Sequence, residues 1–256
     1  MKENLTIVKV GGKIVEEEAS LQKLLEEFTA VEGPKVLIHG GGRTATALAA
    51  KMGIETRMVD GRRITDEDML RVVTMVYAGL VNKNVVAKLQ SLGVKALGLT
   101  GADMDVIRSH RRPVKEIDYG FVGDVDSVDA EAIAMLVEGG VIPVIAPLTL
   151  GDGGQLLNTN ADTMAGETAK AMSRLYDVTL MFCFEKKGVL LDADDDESVI
   201  PQITTESYAE LKERGVVSDG MLPKLDNSFK ALRGGVGRVV ITRSDQIGLC
   251  GTTITL

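Results

Sequence analysis

The stretch Thr6-Ile7-Val8-Lys9-Val10-Gly11-Gly12-Lys13 decides how the rest of the chain is read: a short β-branched run stops at a glycine pair, with one lysine inside the run and one after it. Ile7, Val8 and Val10 favour a buried strand. Gly11 and Gly12 allow a tight turn with bare N–H groups facing an anion, and Lys9 brings an ammonium to the same place. Alone, a strand that ends in glycine is an ordinary turn. The arrangement recurs at Val36-Leu37-Ile38-His39-Gly40-Gly41-Gly42-Arg43, which runs straight into a helix-like stretch. Two such strand ends, close together in the chain, predict one polyanionic ligand held between them.

Around this pair the periodicity alternates between strand and helix. Leu21, Leu24, Leu25 and Phe28 give a helix over 16–31, and a second helix over 44–52 follows the triple glycine. Residues 55–65 read as a hairpin about Asp60-Gly61, placed to act as a lid. A long helix, Asp66 to Gln90, carries Met69, Val72, Val73, Val76, Leu80, Val81, Val85 and Leu89 as its packing stripe, with Met75, Tyr77 and Val86 as additional apolar surface. Strands follow at 94–99 and 141–146, a hairpin at 120–126, and helices at 130–138 and from Asp162 through Arg174. The pattern then repeats with strands 178–184, 189–191 and 239–241, helices 206–214 and 221–232, and a closing extended piece at 251–255. This alternation predicts an α/β fold, a three-layer αβα sandwich whose mostly parallel central sheet is continuous across two lobes.

Charge and composition narrow the function. Lys and Arg total 29 against 37 Asp and Glu, a net charge of −8, which argues against a nucleic-acid surface. An anionic ligand must therefore be captured locally, and Lys9, Lys13, Arg43, Arg63 and Lys224 stand beside glycine or turn chemistry. The longest apolar runs fall short of a membrane span, and the chain opens almost directly onto its first strand, so a cytoplasmic protein without a signal peptide is expected. Cys183 and Cys250 are expected as buried, reduced thiols, and no metal ligands are expected from the protein.

Taken in order, Lys9-Val10-Gly11-Gly12, His39-Gly40-Gly41-Gly42, Gly61-Arg62-Arg63-Ile64-Thr65, Asn158-Thr159-Asn160-Ala161-Asp162, Asp219-Gly220-Met221-Leu222-Pro223-Lys224 and Gly251-Thr252 resemble the amino acid kinase family over essentially the whole chain. The resemblance is strongest to its branch acting on N-acylated glutamate. It implies ATP-dependent phosphorylation of the side-chain carboxylate of N-acetyl-L-glutamate, in arginine biosynthesis, with Mg²⁺ on the terminal phosphates. By matching position, Lys9 and Lys224 would neutralise the transferring phosphoryl group and Asp162 would orient both lysines. Gly11, Gly12, Gly41 and Gly42 would offer N–H groups to it. Arg63 would clamp the α-carboxylate, with Asn158 on the acylamino group and Gly41 and Gly42 at the acceptor. Residues 1–175 would form the acyl-glutamate-binding and dimerising lobe and residues 176–256 the ATP lobe, with a homodimer through the Asp66–Gln90 helix. The family's arginine-inhibited members carry an extra N-terminal helix, so feedback inhibition by arginine is not expected.

One departure is Phe184-Glu185-Lys186-Lys187-Gly188, where the family has an aspartate-containing turn; Glu185 is the candidate replacement, and the adenine and ribose contacts stay open. Open alternatives are a sister kinase acting on N-succinylglutamate, glutamate or carbamate, and a non-catalytic nucleotide-binding protein of the same fold. A dinucleotide-binding dehydrogenase fits poorly, because Gly40-Gly41-Gly42 lacks the full glycine spacing.

Overall fold

The computed structural model describes residues 2–59, 61–217, 221–248 and 250–256; Asp60 of the hairpin and Asp219-Gly220 of the last glycine motif lie outside them. The first half of the chain runs β1 (Asn4–Val10), α1 (Gly12–Glu16), α2 (Glu18–Ala30), β2 (Lys35–His39), α3 (Gly42–Lys51), β3 (Met58–Val59), β4 (Arg62–Arg63), α4 (Glu67–Val73), a π-helical segment (Thr74–Val81), α5 (Asn82–Ser91), β5 (Ala96–Leu99), β6 (Ile107–Arg111) and β7 (Gly123–Val128). It continues through α6 (Ala130–Glu138), β8 (Ile142–Ile145), β9 (Leu148–Leu150), β10 (Leu156–Asn158), α7 (Ala161–Met172), β11 (Asp177–Phe184), β12 (Gln202–Ile203), α8 (Thr205–Glu213), α9 (Leu222–Arg233), β13 (Arg238–Arg243) and β14 (Thr252–Ile254).

The central sheet has the order β12-β14-β13-β11-β1-β2-β8-β5. Pairing is parallel from β13 to β5, and β14 runs antiparallel to β13. Strands β11 to β14 belong to the same sheet as β1 and β2, so the sheet is continuous between the two halves of the chain. A parallel sheet needs cover on both faces, which is why β1 buries Leu5, Ile7, Val8 and Val10 alike. One face meets Leu24, Leu25, Phe28, Val72 and Val85 from α2, α4 and α5; the other meets Met164, Ala165, Leu225 and Phe229 from α7 and α9. A second sheet, β10-β9-β6-β7, stands beside it, and β3 and β4 form a ribbon. Side-chain caps fix four helix starts: Asp66 accepts from Met69 N–H, Asp129 from Ala132 N–H, Asn160 from Thr163 N–H and Thr204 from Ser207 N–H. No described helix is long and apolar enough to cross a membrane.

The structure corrects four expectations. The Asp66–Gln90 helix is wound as π over Thr74–Val81, where the Asn82 N–H donates to the Tyr77 carbonyl five residues back. That winding rotates Leu80 out of the packing stripe to 53% exposure and turns Tyr77 inward. The 120–126 segment is no hairpin of its own: β7 pairs antiparallel with β6, whose exposed polar residues hide its strand character. Residues 189–191 form only a bridge between Leu190 and Val199, and Cys250 is exposed where Cys183 is buried.

Candidate active site

Adjacent parallel strands bring the two glycine runs together, since β1 and β2 pair in register and both stop at glycine. A Cβ on Gly40 would lie 3.1 Å from Gly12 N, so the backbones approach as closely as only glycine permits. Gly11 N–H donates to the Cys183 carbonyl at 3.1 Å, and Gly40 N–H to the Val10 carbonyl at 3.1 Å. Gly11 is thereby removed from the expected set of phosphate donors, its N–H being spent inside the sheet. The N–H groups of Gly12, Gly41 and Gly42 stand at the starts of α1 and α3, where helix geometry leaves donors unpaired.

Lys9 is 7% exposed and places Nζ 2.7 Å from Asp162 Oδ1. Lys224 on α9 reaches the other oxygen, Oδ2, at 3.7 Å. Asp162 sits in the first turn of α7, which packs between the sheet and α9 and so meets both lysines. Burial works against its carboxylate, but the Lys9 and Lys224 charges, with their hydrogen bonds, outweigh it and hold its pKa below the ordinary aspartate value. One carboxylate between two ammonium groups leaves a net positive centre aimed at the glycine N–H groups.

Arg63, also 7% exposed, projects from β4 onto α3. Its Nη2 donates to the Gly42 carbonyl at 2.7 Å and to Thr46 Oγ1 at 2.9 Å, Nη1 donates to Thr56 Oγ1 at 3.3 Å, and the buried Nε has no hydrogen-bond acceptor. Asn158 donates through Nδ2 to Thr65 Oγ1 at 2.9 Å, and that hydroxyl donates to the Arg63 carbonyl at 2.9 Å. The two expected acceptor residues are therefore coupled through Thr65, which the sequence did not single out.

Two cavities meet here. One of about 690 Å³ is lined by Lys9, Gly12, Lys13, Phe184, Glu185 and Lys224 among others, and one of about 180 Å³ by Gly41, Arg62, Tyr77, Val122, Asn158 and Asn160 among others; both include Gly42, Met58 and Arg63. The larger cavity also takes in Val189, Leu190, Val216, Val217 and Met221, an apolar wall the sequence did not reveal. The Val216-Val217 pair just before the last glycine motif was its one available signal. Glu185 borders this cavity and lies 3.7 Å from Lys13 at an exposed position. Among the described residues no group of three His, Cys, Asp or Glu side chains converges as a metal cage, and Asp162 is taken up by lysines.

Comparison with known proteins places the whole chain. The model of the amino acid kinase family matches residues 4–243. An acetylglutamate kinase of Bacteroides fragilis is 63% identical over 99% of this chain and 97% of its own length. One of Cytophaga hutchinsonii is 50% identical over 96% and 93%. Among solved structures, a Streptococcus mutans UA159 protein superposes with a TM-score of 0.83 at 28% identity, covering 98% of each chain.

Proposed function

The chain belongs to the amino acid kinase family, and from that premise we infer that it transfers the γ-phosphoryl group of ATP to the side-chain carboxylate of N-acetyl-L-glutamate, the second step of arginine biosynthesis by acylated intermediates. The observation that carries the reading is the Lys9–Asp162–Lys224 bridge, whose two lysines line the large cavity that shares Gly42, Met58 and Arg63 with the small one. A glutamate side chain, with a pKa of about 4.3, is already ionised at neutral pH, so the reaction needs no general base. One acceptor oxygen forms the new bond to phosphorus while the bond to the β,γ-bridging oxygen breaks, and ADP leaves. The obstacle is an anion approaching a polyanion. Lys9 neutralises charge from the strand end, Lys224 from the nucleotide side, and the Gly12, Gly41 and Gly42 N–H groups donate to the equatorial oxygens. Charge neutralisation beyond these residues would come from Mg²⁺ bound with the nucleotide. Arg63 and Asn158, which both line the smaller cavity, hold the amino acid end.

In this reading residues 1–175 hold the acceptor and 176–256 the nucleotide, in a cytoplasmic enzyme. A homodimer forms through the outer face of the 66–90 helix, where Met75 and Leu80 are 49% and 53% exposed. Trapping with hydroxylamine tests the activity: ATP plus N-acetyl-L-glutamate gives a hydroxamate, and no hydroxamate with any N-acyl-glutamate defeats the reading.

One observation favours a second acceptor. Arg62 lines the smaller cavity half-buried, and its guanidinium makes no hydrogen bond or ion pair among the described residues. Burial and the Arg112 charge hold its pKa below the ordinary arginine value, so it gains from an added anion. An acyl tail ending in a carboxylate, as in N-succinyl-L-glutamate, supplies one. Competition between the acetyl and succinyl substrates decides, and Arg62→Leu should move preference toward acetyl by about 10-fold, the worth of one charge-assisted hydrogen bond.

A further inference from the structure

His39 closes β2 fully buried, in a strand where an aliphatic residue would pack without polar cost. Both ring nitrogens are engaged. Nδ1 donates to the Gly40 carbonyl at 2.8 Å, and Nε2 accepts from Asn82 Nδ2 at 3.0 Å. The same amide nitrogen donates its other hydrogen to the Val144 carbonyl at 2.8 Å, so Asn82, 1% exposed, is anchored on β8. Its Oδ1 accepts from Lys83 Nζ at 3.2 Å.

The Gly40 carbonyl and the Gly41 N–H belong to one peptide group, planar and trans. Holding that oxygen toward His39 turns the Gly41 N–H to the opposite side. Between glycines a peptide plane otherwise has unusual freedom to rotate. Tyr77 closes the other side of Gly41, where an added Cβ would meet the ring at 2.9 Å. Tyr77 and Asn82 are five residues apart, and in an α-helix they would point about 140° apart. The π-helical turn, whose hydrogen bond joins these two residues, lets both face the glycine loop.

We propose that Asn82 is a positioning residue for phosphoryl transfer, acting through His39 to fix the Gly40–Gly41 peptide so that the Gly41 N–H is aimed at the transferred group, with the π-turn as the device that presents both Asn82 and Tyr77. The proposal rests on the kinase reading above. It differs from a packing role in its signature: the aim of one N–H matters to the transition state and little to the bound ground states.

The test compares wild type with Asn82→Ala, His39→Gln and His39→Asn, each checked for folding by its thermal transition. Kcat, both KM values, ADP affinity and affinity for ADP with tetrafluoroaluminate are measured. Glutamine places its nitrogen near the Nε2 position and loses the Gly40 contact; asparagine places it near Nδ1 and restores that contact. Asn82→Ala and His39→Gln are expected to lose about 10-fold or more in kcat, with a parallel loss of tetrafluoroaluminate affinity and ADP and acceptor binding within about twofold, as for one removed transition-state donor. His39→Asn is expected to recover much of the loss. Wild-type kcat in folded Asn82→Ala and His39→Gln, or equal loss of ADP, acceptor and mimic binding in them, overturns the proposal. Should Asn82→Ala not fold, the two His39 variants decide alone. A wild-type protein that makes no hydroxamate defeats the kinase reading instead.

Discussion

Lys9 meets Asp162 at 2.7 Å from the middle of the central sheet. The contact fixes the ammonium before any ligand arrives, so its charge is preorganised. Lys9→Ala and Lys224→Ala are each expected to lower kcat by about 10²-fold or more in a folded protein. Near-wild-type turnover in both variants would remove the lysines from the mechanism.

A Cβ on Gly12 would sit 3.4 Å from Gly41 N and 3.5 Å from Gly42 N, an ordinary van der Waals contact that fills the space in front of those donors. Gly12→Ala should therefore fold with a melting temperature close to wild type and lose about 10²-fold in kcat, the worth of one blocked N–H donor. A fall in melting temperature with unchanged kcat would make Gly12 a packing glycine only.

Arg63 has a planar fork braced by Gly42, Thr46 and Thr56. Lysine cannot reproduce it, so Arg63→Lys should raise the acceptor KM about 10-fold or more and the ATP KM far less. Titrating both substrates against the variant checks this, and equal losses would make Arg63 structural.

Burial pushes the His39 pKa down to about 4, with its hydrogen bond to Gly40 opposing and the Lys83 charge reinforcing the shift. In the unfolded chain the ring titrates near 6.5. Below that pH the unfolded state takes up a proton that the folded state refuses. The contribution of His39 is therefore complete above about pH 6.5 and is lost progressively down to about pH 4, reaching about 2 kcal/mol by pH 5. Urea midpoints at pH 7.5 and 5 should fall further for wild type than for His39→Asn, which has no ring to protonate. Identical falls would contradict the buried neutral imidazole.

Met75 and Leu80 are the large apolar side chains that the described part of the 66–90 helix exposes, so the proposed dimer is probed there. Light scattering should give about 55 kDa, twice the 27.3 kDa chain, and Leu80→Glu should shift it toward monomer because a carboxylate is costly in an apolar contact. A dimer unaffected by Leu80→Glu and Met75→Glu would place the interface elsewhere.

What the sequence disclosed was what local rules govern. The β-branched runs into glycine gave β1 and β2, and the 3.6-residue spacing of Leu21, Leu24, Leu25 and Phe28 gave α2. The Lys9, Asp162 and Lys224 set was legible only through the order of motifs, since no periodicity places residues so far apart in contact. Three features were hidden. Nothing in Thr74-Met75-Val76-Tyr77 distinguishes π from α winding, which depends on how the helix packs on the glycine loop. Strand β6 reads as polar because Arg108, His110 and Arg111 are exposed. The Gly11 N–H is lost to Cys183 through sheet pairing, which a single strand cannot announce.

The two halves of the proposed reaction centre rest on supports of unequal strength. Lys9 rides on β1, hydrogen-bonded to β11 along its whole length and to β2 along most of it, whereas Arg63 rides on a ribbon of two residue pairs beside Asn158 and Thr65. Local opening on warming begins where few backbone pairs must break. The acceptor side should therefore loosen well before the lysines lose their alignment. Heat would then appear first as weakened acceptor affinity, and the temperature of greatest apparent rate would climb as acceptor is added, with no change in the strand that carries the chemistry.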